Sequence, residues 1–145
     1  MSLTQWLQFG WLVDHYSSKQ EIADLLAVAD RDLKDCRNDS VSDDWRLAIA
    51  YNAALQLATA ALAAAGFRAA RDSHHYRVIQ SLEHTIGADN RIIAQLDQFR
   101  KKRNLSDYER AGAVSAGEVK AMTILAEGLR REVEDWIRQK HPEFL

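Results

Sequence analysis

Between Asp44 and Arg71 the chain reads DWRLAIAYNAALQLATAALAAAGFR AAR, a segment with no proline and one late glycine. Leu47, Tyr51, Leu55, Ala58 and Leu62 recur at helical spacing and form a stripe. Alanines cover most of the other faces, so neighbouring elements can approach closely from several sides. Such a segment is the central, most buried helix of a bundle. The rest of the chain agrees: it has one proline (Pro142) and six glycines, and β-branched residues never gather into alternating runs. The expected fold class is all-α, an up-and-down bundle of four to five helices.

The other helices announce their own ends. Ser18-Lys-Gln-Glu21 has capping-box spacing and precedes the stripe Ile22, Leu25, Leu26, Ala29, Leu33, Cys36, which predicts a helix over about 18–37. Ser42 or Asp43 caps the long segment. Ser73 caps a shorter helix with Tyr76, Ile79, Leu82 and Ile86 inward, and Gly87 ends it in a left-handed turn. Asp89 opens a fourth helix, through Ile93, Leu96 and Phe99, ending near Asn104. Ser106-Asp-Tyr-Glu109 repeats the capping-box spacing and suggests a separate helical turn. Ser115-Ala-Gly-Glu118 starts a last helix, 115–140, with a seam of Val119, Met122, Ala126, Leu129, Val133 and Trp136. The chain therefore divides into an N-terminal segment 1–17, a bundle 18–140 and a tail 141–145. The N-terminal segment carries Leu3, Trp6, Leu7, Trp11 and Leu12, enough apolar area for a short helix folded onto the bundle or onto a second subunit.

At 145 residues the chain fits one domain with a normal core. Its one cysteine, Cys36, excludes an internal disulfide and a CxxC-type metal cluster, which suits a reducing cytoplasm. The start MSLTQWLQFGWLVDH has no basic leader and no long apolar run, so no signal peptide or membrane span is expected. Nineteen basic and 21 acidic side chains leave a net charge of -2, so any attraction to nucleic acid must come from a local patch.

That patch is FRKKRN, residues 99–104. Short links make the third and fourth helices an antiparallel hairpin of similar lengths, roughly 18 and 22 Å at 1.5 Å per residue. His74, His75 and Arg77 then lie beside Arg100, Lys101, Lys102, Arg103 and Asn104, with Arg68 and Arg71 arriving from the long helix. Seven basic side chains and two histidines at one end of an acidic chain suit phosphate: arginine binds its oxygens bidentately, and histidine moves protons near neutrality. Lys101 and Lys102 have a plainer reading as cations complementing a helix C-terminus, and Asn104 as a C-cap. His15, His84 and His141 are isolated, and no metal-binding histidine spacing occurs; neither a metal nor a cofactor is expected. Trp45, Trp136, Tyr51 and Tyr76 read as core.

The runs AIAYNAALQLATAALAAAGFR, HHYRVIQSLEHTIG and FRKKRNLSDYERAGAVSAGEV together resemble the HEPN domains, small all-α bundles, over about residues 20–139. The resemblance is to the bacterial branch whose motif ends in Asp-Tyr. It implies a dimer and a metal-independent ribonuclease, often a toxin of a toxin and antitoxin pair or of phage defence. The family signature is an Arg, often followed by a polar residue, and a His after four to six further residues. Arg103 and Asn104 match its first half. The second half departs, since four residues beyond Arg103 stands Tyr108 and the window holds no histidine. A phenol is a poor general base at neutral pH, so either His74 or His75 is the substitute that the hairpin offers.

Two functional expectations follow. In the first, the chain is a homodimer that binds or cleaves RNA. Arg103 holds the scissile phosphate, Asn104 orients the phosphate or Tyr108, and His75 or His74 transfers the proton. Arg100, Arg71, Arg77 and Asp107 bind the substrate around them. In the second, it is a non-catalytic module that binds nucleotide or a protein partner, an antitoxin or a nucleotidyltransferase.

Overall fold

The computed structural model of the chain describes residues 1–72, 74–108 and 111–145, with the backbone alone for 105–108. Among these residues the fold is an all-α bundle of six helices, α1 (Leu3–Gln8), α2 (Lys19–Asp35), α3 (Asp43–Ala64), α4 (His74–Gln80), α5 (Asn90–Tyr108) and α6 (Ala116–Lys140), with one two-stranded sheet. A 3₁₀ turn, Ser81–Glu83, extends α4, and a second, Pro142–Phe144, follows α6. Helix α3 is the hub, touching α2, α4, α5 and α6. Leu47, Ala50, Ala53, Ala54, Leu57, Ala58, Ala60 and Ala61 are fully buried along it. Alanine removes the steric barrier to close approach, and the four neighbours then supply the larger side chains Ile22, Ile79, Leu96, Met122 and Ile137. The helix is long and apolar enough to cross a membrane, yet 78% of that apolar window is buried inside the fold. Its apolarity is core.

Charged clamps hold α6 on α2. Arg130 reaches Asp30 through Nε at 2.8 Å and Nη2 at 3.3 Å, and Arg37 pairs with Glu127. Ser115 and Glu118 complete both halves of the capping box of α6. At α2 only half of the expected box forms: Ser18 Oγ accepts from the Glu21 amide, while the Glu21 carboxylate is taken by His15 at 2.6 Å and Ser17 at 3.0 Å.

Several expectations are corrected. The long helix does not reach Arg71. It ends at Ala64, the chain reverses at Gly66, whose φ of 99° belongs to glycine's left-handed region, and Phe67–Ala69 becomes strand β2. Strand β1, Leu12–Asp14, pairs with it antiparallel, Leu12 opposite Ala69 and Asp14 opposite Phe67. The N-terminal segment is thus a helix and a strand stitched to the bundle of its own protomer, with Trp6 and Leu12 buried. Trp45 is 60% exposed instead of core, because it sits on the first turn of α3, beyond the layer of packed neighbours. Tyr76 is 37% exposed while Val78 takes the inward position expected of it. Helix α5 does not end near Asn104: it runs on to Tyr108, so Asn104 is no C-cap and Ser106–Tyr108 continues the helix. Gly87 does turn left-handed, at φ 72°. The expected cap Ser73 lies outside the described residues.

Because α3 has neighbours on so many sides, enlarging one of its alanines has nowhere to go. Ala54→Leu is expected to lower unfolding stability by about 1–3 kcal/mol, read as a shift in the urea midpoint at unchanged slope.

Candidate functional site

Helix α4 and helix α5 pack as the expected hairpin, and both rest on α3. This brings His75 from α4, Arg100 and Arg103 from α5 and Tyr51 from α3 to one place. The His75 and Tyr51 rings stand 6.4 Å apart. Burial, then the cations of Arg103, His74 when protonated, and Arg100, hold the His75 imidazole below the usual histidine pKa. It is a neutral base at pH 7. Burial pushes the Tyr51 phenol up to about 12, partly offset by Arg100 and Arg103, so its hydroxyl stays protonated and acts as a donor. That hydroxyl is buried and has no hydrogen-bond partner among the described residues. An orphan of this kind costs about 1–3 kcal/mol, and it lies within the electrostatic reach of two guanidinium groups.

The four consecutive cations divide sharply. Asp97, one turn earlier on α5, accepts from Arg100 Nε at 2.7 Å and meets Lys101 Nζ at 3.4 Å. Lys102 reaches Glu118 at the start of α6, 3.5 Å away. Both lysines are therefore matched by carboxylates, which replaces the helix-terminus role expected of them. Arg103 Nη1 contacts Asn104 Oδ1 at 3.4 Å. Arg100 also sets its guanidinium 5.6 Å from the Tyr76 ring.

The other predicted residues spread out. Arg77 turns away from the pocket to stack on Trp11, 3.6 Å above its ring. Arg71 follows β2 and lines a surface cleft with Phe9, Trp11 and Arg77. The histidine doublet is split: the rings are 5.8 Å apart, but His74 is exposed and borders a different, largely apolar cleft of about 230 Å³ with His15, Glu21 and Arg68. The single convergence of seven cations is corrected, since the reversal at Gly66 carries Arg68 and Arg71 back along the sheet. The side chains of Asp107 and Tyr108 lie outside the described residues.

Tyr51 is core, as expected, at 1% exposure, and its ring also stands near that of His75. What marks it in the sequence is a phenol on the apolar stripe of α3, the helix on which α4 and α5 both pack. Comparison with known proteins adds nothing further: no family model matches the chain, and no curated protein does.

Chemically, the cluster gathers the Arg103 guanidinium, the Arg100 guanidinium paired with Asp97, one phenolic donor and one neutral imidazole, a set suited to an oxyanion carrying an exchangeable proton nearby. The His75 pKa also makes a pH prediction. A value lower in the folded chain than in the unfolded one means that the unfolded state binds more protons, so stability is complete above the ordinary histidine range and falls as pH drops through the folded pKa. In a histidine NMR titration His75 is expected to have a midpoint below the usual value. Arg103→Ala should raise that midpoint, and so should saturating inorganic phosphate.

Proposed function

We propose that the chain is a HEPN-like RNA-binding protein that cleaves the phosphodiester backbone without a divalent metal, and that it works as a homodimer. The observation that carries this reading is the buried Tyr51 hydroxyl, without a partner among the described residues, beside a neutral His75 and two arginines. A phosphate oxygen seated there accepts from Tyr51 and from the guanidinium of Arg103, with Arg100 completing the charge balance and Asn104 holding Arg103 in place.

In the proposed reaction His75 takes the proton of the ribose 2′-hydroxyl, and the 2′-oxygen attacks phosphorus. The bond from phosphorus to the 5′-oxygen breaks, leaving a 2′,3′-cyclic phosphate. The departing 5′-oxygen takes a proton from water, and the hydroxide so formed accepts the proton held by His75. The arginines offset the added negative charge of the transition state, where desolvation strengthens their effect.

Single-stranded RNA should be cleaved in the presence of EDTA, and Arg103→Ala should reduce the rate by at least a hundredfold; cleavage that persists in this variant removes the assignment. Tyr51→Phe separates function from packing. Deleting an orphan hydroxyl should leave stability unchanged or slightly higher, while weakening phosphate binding by about fivefold, the equivalent of one hydrogen bond.

The dimer belongs to the reading because one bundle end offers half of a symmetric cleft. The N-terminal segment buries Trp6 and Leu12 within its own chain, so the seam falls to other surfaces. Sedimentation equilibrium at micromolar concentration should give twice the protomer mass, and a monomer there would count against it.

A further inference from the structure

Beside the pocket an aromatic and cationic path continues across the surface. Tyr76 sits between two arginines, Arg100 at 5.6 Å and Arg77 at 5.5 Å from its ring. Arg77 lies over Trp11, whose ring is 5.0 Å from that of Phe9. Phe9 is 55% exposed, and it borders a surface cleft of about 380 Å³ whose lining includes Trp11, Ala70, Arg71, Asp72 and Arg77. From the pocket outward the order is Arg100, Tyr76, Arg77, Trp11, Phe9, with Arg71 alongside.

Packing accounts for part of this. Arg77 stacked on Trp11 pins the N-terminal segment to α4, and a cation over an indole face needs no ligand to be favourable. It does not account for Phe9 and Tyr76, large rings left open to water on the path, or for Arg71 on the wall of the cleft. Alternating rings and guanidinium groups fit one ligand chemistry well: a backbone of phosphates with flat, separable bases. Duplex bases are already stacked on one another and show no faces to such rings, so the strand must be single.

We propose that this path, formed by Tyr76, Arg77, Arg71 and Phe9, is a binding track for single-stranded RNA leading away from the phosphate pocket. Phe9 and Tyr76 stack on bases, while Arg71 and Arg77 meet phosphates. The N-terminal segment thereby becomes part of the ligand surface as well as of the fold. The inference rests on the phosphate-binding reading of the pocket, and the experiment separates the two.

The probe is a fluorescein-labelled 2′-O-methyl oligouridylate of 12 nucleotides, which lacks the attacking hydroxyl, compared by anisotropy with the 2′-O-methyl UpU dinucleotide. The wild-type chain should bind the 12-mer at least tenfold more tightly. Phe9→Ala with Tyr76→Ala should weaken the 12-mer by tenfold or more and narrow its advantage over the dinucleotide, as expected for two lost stacking contacts. Arg71→Gln should reduce the slope of log affinity against log salt by about one. Helical circular dichroism at wild-type strength certifies that each variant is folded, and Arg71→Gln, at an exposed turn position, supplies the test should the double variant fail that check. Dinucleotide binding with no gain for the 12-mer, or a 12-mer affinity indifferent to these substitutions, overturns the track while the pocket stands. Wild-type protein that binds neither probe overturns both. Tighter binding of a polyglutamate peptide than of the 12-mer overturns the assignment to nucleic acid.

Discussion

Close packing around α3 is the constraint on which everything else depends. Alanine at successive positions of one helix lets α2, α4, α5 and α6 approach it together, and the resulting core leaves α3 almost no free face. The cluster of His75, Arg100, Arg103 and Tyr51 follows from this arrangement. His75 and Arg103 lie on different helices separated by a turn, and they meet because α4 and α5 share α3 as their floor. Tyr51 belongs to that floor, so the same helix that holds the fold together also supplies the hydroxyl of the cluster.

The second organising feature is how carboxylates sort a run of cations. FRKKRN places four positive charges in succession, but successive residues on a helix point about 100° apart. Asp97 and Glu118 meet the charges directed outward, while Arg103 and, in part, Arg100 face α4 and α3. Exposed pairs such as Lys101 with Asp97 contribute little to stability, on the order of 0–1 kcal/mol. Their consequence is distribution: Asp97 and Glu118 meet Arg100, Lys101 and Lys102, while Arg100 and Arg103 lie close enough to His75 to lower its pKa. A chain with net charge -2 thus concentrates its basic character in one region without becoming basic overall.

The N-terminal segment shows how a small sheet alters a helical reading. Each of its strands has three residues, too few for an alternating pattern to stand out from the helical signal around it. Gly66 was visible, but nothing local told whether the chain beyond it would continue as helix or reverse. Pairing with a strand more than fifty residues earlier decided the matter. That pairing moved Arg68 and Arg71 off the pocket and brought Trp11 under Arg77, which is why the basic residues expected at one point are spread along a path. Tyr76 and Trp45 were misplaced for a related reason: helical spacing identifies a face, and only the neighbours determine how far along the helix that face is covered.

Helix positions, their apolar stripes, the hub role of the segment after Asp43 and the hairpin joining α4 to α5 were determined by the amino-acid order itself. Each rests on local physics, namely side-chain period, capping hydrogen bonds and short connections. Tertiary structure alone decided which histidine of the doublet lies near Arg103, that Tyr51 keeps a hydroxyl without a partner among the described residues, and where the arginines outside α5 point. Those outcomes depend on distances between residues far apart in the chain, and on the desolvation that follows when several helices close around one point.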